Sequence, residues 1–200
     1  MAVRKTKTER RTQIFDAAIK CFGEKGYYES TMDDIVRESG LSKGALYWHF
    51  DSKKDLFRNL IEHWQSEYFH QLEGLEHATS ALQKLTILKE ALKQSVAVRP
   101  DLVRAQLQFY ALAVRDSAYR EWLVRAYQDQ FGFLKTIVQE GIEQGEFRRV
   151  AVDRVVRLMT AYLDGALLQQ ELYAHTEGPA AILDECFETF VELIKAEPHV

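Results

Sequence analysis

The sequence predicts an all-α protein: an N-terminal three-helix, helix-turn-helix domain followed by a larger helical domain, about nine helices in all. Three observations predict it. Apolar residues recur at spacings of three and four along nearly the whole chain, and strand-like alternation of Val, Ile and Thr is hard to find. The only prolines, Pro100, Pro179 and Pro198, fall outside the strong helical periods. At 200 residues, 46% apolar and 28% charged, the chain has the composition of a folded globular protein. Its longest apolar candidate for a membrane span, Ala105 to Val114, is bounded by Arg104 and Arg115 and falls short of the ~18 residues a span requires. The basic N-terminus lacks the apolar segment of a secretory signal. A cytoplasmic, nucleoid-associated protein with no membrane partner is expected.

The first stripe, Ile14, Ala17, Ala18, Cys21 and Phe22, predicts an amphipathic helix that stops at Lys25-Gly26. Thr31, followed by Asp33 and Asp34, predicts the cap and acidic first turn of a short second helix with Ile35 and Val36 inward, ending at Gly40. Ser42 caps a third short helix, whose Ala45, Leu46 and Phe50 face a core. A longer fourth helix opens after Asp51-Ser52 and carries Leu56, Phe57, Leu60, Ile61, Trp64, Tyr68, Leu72 and Leu75, about six turns. Further periods fall at roughly 80–97, 101–114, 117–144, 151–174 and 179–195, with Pro100, Gly145 and Gly178-Pro179 at joints. Two domains are expected, 1–55 and 56–200. Cys21 and Cys186 sit at apolar helical positions and read as buried hydrophobes.

Charge divides along the chain. Residues 1–60 carry 12 Lys/Arg against 9 Asp/Glu, a net +3, whereas 61–200 carry 14 against 21, a net −7. Arg4, Lys5, Lys7, Arg10 and Arg11 form a basic arm that suits either a polyanion or a solubilising tail. The informative stretch is TMDDIVRESGLSKGALYWHF, Thr31 to Phe50: two short helices joined by a turn that contains Gly40. Its second helix displays Lys43, Gly44, Tyr47, Trp48 and His49. Such groups suit a DNA major groove and its flanking phosphates, although Trp48 and Tyr47 also fit packing against the first helix.

SKGALYWHF followed by SKKDLF resembles the recognition helix and following turn of the TetR family of bacterial repressors. The likeness extends from Thr12 to about Leu60 and includes the Phe22-Gly23-x-x-Gly26 pattern and the Leu46-Tyr47-x-His49-Phe50 core. It implies that Thr31 caps its helix and binds phosphate, that Tyr47 and His49 contact the sugar-phosphate backbone, that Lys43, Gly44 and Ala45 reach base edges, and that the capping Ser42 belongs to the same DNA-binding surface. It further implies a phosphate contact for Lys53, whose other reading is a solvated lysine, and leaves Trp48 as either a wedge or a support.

One such helix reads few base pairs, so a homodimer on palindromic double-stranded operator DNA is expected. The expected dimer face comprises Val155, Met159, Tyr162, Leu163, Ala166 and Leu167, with Leu183, Phe187, Phe190, Val191 and Ile194, packed as a four-helix bundle. Trp64, Tyr68, Gln106, Phe109, Tyr110, Phe131 and Tyr162 are candidates to line a pocket for a small hydrophobic or aromatic effector, an acyl chain among them. The expected output is repression released by that effector; a co-repressor or a protein partner is the alternative. No catalytic constellation and no cofactor is expected. Glu67-x-x-His70 lacks the second copy that a di-iron bundle requires, and His63, His70 and His77 read as rim histidines rather than a metal site.

Overall fold

A computed structural model of the chain describes residues 6–70, 72, 74–98, 101–173 and 178–196, without the side chains at 65, 68–70, 98 and 102. Among the described residues it contains nine α-helices and no strand: α1 (Lys7–Glu29), α2 (Met32–Ser39), α3 (Lys43–His49), α4 (Lys53–His70), α5 (Ala81–Val98), α6 (Asp101–Arg115), α7 (Ser117–Glu143), α8 (Val152–Tyr173) and α9 (Gly178–Ile194). No described helix is long and apolar enough to cross a membrane.

Helix α1 opens with a capping box, in which Thr6 Oγ1 accepts from Glu9 N while Glu9 Oε2 accepts from Thr6 N at 2.6 Å. The basic arm is therefore helical from Lys7 onward, and Arg4 and Lys5 lie outside the described residues. The expected stop at Gly26 is a kink: φ is +79° there, one more turn follows, and the buried Ser30 hydroxyl donates to Gly26 O at 2.7 Å and Cys21 O at 2.9 Å. Helix α4 ends at His70, earlier than its apolar period suggests. Gly74, at φ +95°, then leads into a single 3-10 turn at Leu75–His77, and Leu72 is buried outside any helix.

The chain forms two compact units: residues up to Ser66 with Asp101–Trp122, and Glu67–Pro100 with Leu123–Val200. The first unit therefore holds α6 as well as the N-terminal helices, a different division from one cut at residue 55. Its core is aromatic. The Phe57 ring lies 5.2 Å from Phe22, 5.0 Å from Tyr27 and 5.6 Å from Phe109, centroid to centroid. The Tyr27 and Tyr119 hydroxyls hydrogen-bond at 2.5 Å, and Lys54 pairs with Asp116 at 3.1 Å. Burial pushes both phenol pKa values up.

The second unit packs α5, α7, α8 and α9 around Leu85, Leu88, Ile137, Val138, Val156, Phe187 and Phe190. Helix α5 is capped from a distance in sequence, with Glu146 accepting from Ala81 N at 2.9 Å and Leu82 N at 3.1 Å. The segment that supplies Glu146 is tied down in turn, because Arg148 N donates to Ile194 O at 2.8 Å and Ala196 N to Glu146 O at 3.0 Å.

Candidate nucleic-acid interface

The interface begins with how α2 holds α3. Thr31 Oγ1 accepts from Asp34 N at 3.1 Å, and Asp34 Oδ2 accepts from Thr31 N at 2.9 Å, so the expected cap is a full capping box. Asp34 also pairs with Lys25 at 2.7 Å and Arg37 at 2.9 Å. Lys25, then the Thr31 hydroxyl and amide, hold its carboxyl far below the ordinary carboxylate range. Gly40 closes α2 in the left-handed region, at φ +67°, where a side chain would be strained. Gln13 Nε2 donates to Ser39 O at 2.6 Å and anchors that turn to α1. Ser42 then caps α3 by accepting from Ala45 N at 3.2 Å. Ile35, Leu46 and Phe50 are buried beneath.

Four of the five groups that the sequence places on the outer side of α3 are exposed, and His49 is not. Lys43 and Gly44 are exposed, Tyr47 is 42% exposed and Trp48 69% exposed, while Ala45 is half-buried. Trp48 is not buried against the neighbouring helices. Its indole meets the Lys7 ammonium, 5.2 Å from the ring centroid, and the edge of the adjacent His49 ring at 4.7 Å. A methyl group added at Gly44 would touch nothing within 4 Å, so the surface there is cut back to backbone. His49 is half-buried, and its Nδ1 has no hydrogen-bond partner among the described residues. Burial first, then Arg11, Lys7 and Arg10, depress the imidazole pKa and favour the neutral ring.

Thr31, Lys53 and Arg11 are already engaged within the chain. Thr31 Oγ1 donates its hydrogen to Asp34 Oδ2 at 2.7 Å, so the hydroxyl meets a phosphate as a donor only after releasing Asp34. Lys53 Nζ donates to Tyr27 O at 2.6 Å, Tyr28 O at 3.2 Å and Ser30 O at 2.6 Å, which uses all three ammonium hydrogens on the end of α1. Burial pulls its pKa down. Arg11 bonds Asn59 Oδ1 at 2.9 Å and stacks over Phe50 and Phe15, which makes it part of the fold. Lys53→Met is accordingly expected to lower stability by about 1 to 3 kcal/mol without DNA present. Thermal melting of the free protein checks this, since a solvated phosphate ligand would leave the melting temperature unchanged.

Sequence reasoning passed over Thr6, Lys7 and Arg10 as named contacts, yet they line one groove with Ser42, Ala45, Trp48 and His49. For Lys7 and Arg10 the sequence signal was their charge, as members of the basic arm; Thr6 carried none. A cation row on α1 beside an exposed recognition helix is an arrangement for a phosphate backbone, and families that share it can be tested by comparison.

The model of the bacterial regulatory proteins of the tetR family matches residues 14–60, and that of the BetI-type transcriptional repressor C-terminal region matches 81–194. The chain belongs to the TetR family. It is a helix-turn-helix transcriptional regulator, and the family is one of regulators rather than enzymes. It is 29% identical over 172 residues to the HTH-type transcriptional regulator YfiR of Bacillus subtilis, covering 86% of this chain and 84% of that protein. Its fold matches a Saccharomonospora viridis protein in complex with choline, with a TM-score of 0.83 at 21% identity over 96% of this chain and all of the other. It also matches the regulator FadR of B. subtilis in complex with stearoyl-CoA, with a TM-score of 0.78 at 22% identity over 90% and 97% of the two chains.

The matched C-terminal region contains the residues expected to line a pocket and a dimer face except Trp64 and Tyr68, which lie on α4. Phe109 is buried against Phe57 in the first unit, Gln106 donates to Tyr110, and Trp64 is half-buried. Phe131 stacks on Tyr127, Tyr162 is exposed, and the Tyr68 side chain lies outside the described residues. Among the described residues, one enclosed space in the second unit is a narrow void of about 20 Å³ lined by other residues: Leu88, Leu92, Gln130, Phe133, Leu134, Met159, Thr160, Leu163 and Phe187. It has room for about one water. Of the expected dimer residues, Met159, Leu163, Leu167, Leu183, Phe187, Phe190 and Ile194 are buried within the single chain. Val155, Ala166 and Val191 are half-buried. The reason is the width of the apolar faces, whose inner halves the fold consumes. Left outside on α8 are Leu158, Ala161, Tyr162, Leu168 and Leu172, with Gly165 half-buried among them. No cluster of His, Cys, Asp or Glu among the described residues is arranged to hold a metal ion.

Proposed function

We propose that this regulator is a repressor that binds palindromic operator DNA as a homodimer and leaves it when a small apolar effector enters its C-terminal unit. The observation that carries the reading is α3, a capped rod whose exposed side holds Lys43, Gly44, Tyr47 and Trp48. Thr31, Tyr47 and His49 position the backbone, with Lys7 and Arg10 alongside, while Lys43, Gly44 and Ala45 reach base edges. Lys53 supports this surface from behind by holding the end of α1.

Dimerisation is supported by α8. Positions 158, 161, 165, 168 and 172 follow spacings of three and four, the repeat of a helix seam, and all are apolar or small. Gly165 lies in open space and permits close approach of a partner helix. Analytical ultracentrifugation of the free protein reads this directly, and a strict monomer contradicts it.

The effector's site is the void of the second unit. Its walls are apolar apart from Gln130 and Thr160, and the Thr160 hydroxyl is spent on Val156 O at 3.0 Å and Arg157 O at 3.1 Å. With no carboxylate in the lining to pair a quaternary ammonium, the apolar walls suit an acyl chain, such as that of the stearoyl-CoA in one structural neighbour, better than the choline in another. Entry must first separate Leu88, Met159, Leu163 and Phe187. A ligand able to do so favours a wider second unit, and it releases DNA only to the extent that it binds that state more tightly.

The test begins with a duplex selected from a random library by the purified protein. Tyr47→Ala weakens binding to all sequences, whereas Lys43→Ala relaxes preference at one base pair by about 1 to 3 kcal/mol. A mobility-shift titration against base-substituted duplexes separates the two outcomes; if neither substitution changes binding, α3 is not the reading helix.

A further inference from the structure

Asp33 and Lys43 face one another across the step from α2 to α3. Lys43 Nζ lies 2.8 Å from Asp33 Oδ1 and 3.1 Å from Oδ2, and both side chains are mostly exposed. Neither is required by the fold. Asp34, not Asp33, closes the capping box of α2, and Lys43 covers no core residue. So exposed an ion pair contributes little to stability. Its effect on DNA is a different matter, because Lys43 stands in the first turn of the reading helix beside the open backbone of Gly44.

A lysine is a compact charge on a flexible stem. Left unheld at a DNA surface, its ammonium moves to the nearest phosphate, a contact that carries no sequence information. A carboxylate gripping it from the neighbouring helix limits the positions the ammonium visits. The same carboxylate places a negative charge where phosphates of a misaligned duplex would draw near, which raises the cost of non-specific complexes.

We propose that Asp33 is a positioning residue for sequence readout: it orients Lys43 toward base edges and repels phosphates that would otherwise capture it. The proposal rests on the DNA-binding reading above. It predicts that neutralising Asp33 strengthens DNA binding overall while making it less selective.

The experiment uses the full chain as wild type, Asp33→Asn, Lys43→Ala and the double variant. Binding to the selected duplex and to a random-sequence duplex of equal length is followed by fluorescence anisotropy over a salt series. Asp33→Asn is expected to tighten random-duplex binding by about threefold to tenfold, with a steeper salt dependence by roughly one phosphate contact. It tightens the selected duplex less, so the ratio of the two affinities falls. In the Lys43→Ala background Asp33→Asn no longer moves that ratio, because there is no lysine left to orient. Thermal melting confirms that the variants stay folded, as exposure at both positions leads one to expect. Equal tightening of both duplexes in both backgrounds means that Asp33 acts only through net charge and overturns the proposal, as does no change at all. A wild type that selects no duplex overturns the DNA-binding reading itself, a failure visible before any variant is made.

Discussion

Phe57→Ala is expected to lower the unfolding free energy by about 3 to 5 kcal/mol, the largest effect of any single truncation discussed for this chain. Phe57 has no exposed surface, and its ring is shared by residues from three other helices: Phe22 and Tyr27 of α1, Phe109 of α6 and Tyr119 of α7, the last at 6.1 Å. Truncation removes the transfer free energy of a whole ring and leaves a cavity walled by other rings. Those walls are rigid and cannot collapse into it. Chemical denaturation followed by circular dichroism measures the loss. Because Tyr27 and Tyr119 rest on this ring, the variant also weakens the link between the end of α1 and the start of α7. A cost under about 1 kcal/mol would mean that the cluster repacks freely, contrary to the general behaviour of aromatic cores.

Gly141→Val is expected to cost about 3 kcal/mol or more through overpacking. A β-carbon at position 141 would stand 2.1 Å from Phe147 Cδ2, 2.4 Å from Cε2 and 2.9 Å from Ala81 Cβ, distances no contact tolerates. Phe147 has little room to retreat. It is buried, its amide donates to Gly141 O at 3.0 Å, and the residues on either side of it are bonded to the end of α9 and, through Glu146, to the start of α5. Replacing a helical glycine ordinarily gains up to about 1 kcal/mol of helix propensity, so the clash must outweigh that gain. The control is Gly141→Ala combined with Phe147→Ala: the second substitution removes the obstructing ring, and the pair is expected to cost less than the sum of its parts. Strict additivity would show that the close approach is not the cause.

Much of the fold was legible in the sequence because the signals were local. The apolar periods placed α5 through α9 to within a residue or two, and Thr31, Gly40 and Ser42 set the bounds of α2 and α3 through caps and a left-handed turn that depend only on near neighbours. The exposed side of α3 was legible for the same reason, since seven residues leave little choice about which face turns inward. Where the reading stopped short, the cause was distance along the chain. Lys53 looks like a solvated or phosphate-bound lysine until residues 23 to 26 positions earlier supply three carbonyls. Phe109 looks like a pocket aromatic until Phe57 is seen against it. The faces of α8 and α9 were rightly read as apolar, but periodicity does not say which half of a wide stripe the chain covers by itself.

The sequence by itself determined that this protein is helical, where α2, α3 and α5 to α9 begin and end to within a residue or two, and which short rod presents Lys43, Tyr47 and Trp48. Each of these follows from interactions between residues within about one or two turns of each other. Only the tertiary structure decided that Asp101–Trp122 belongs with the N-terminal helices, that the C-terminal void is narrow and walled by Leu88, Phe133, Met159 and Phe187, and that Asp33 reaches Lys43. Those facts depend on which surfaces meet after the chain has turned back on itself, and burial between distant segments leaves no periodic trace in either one.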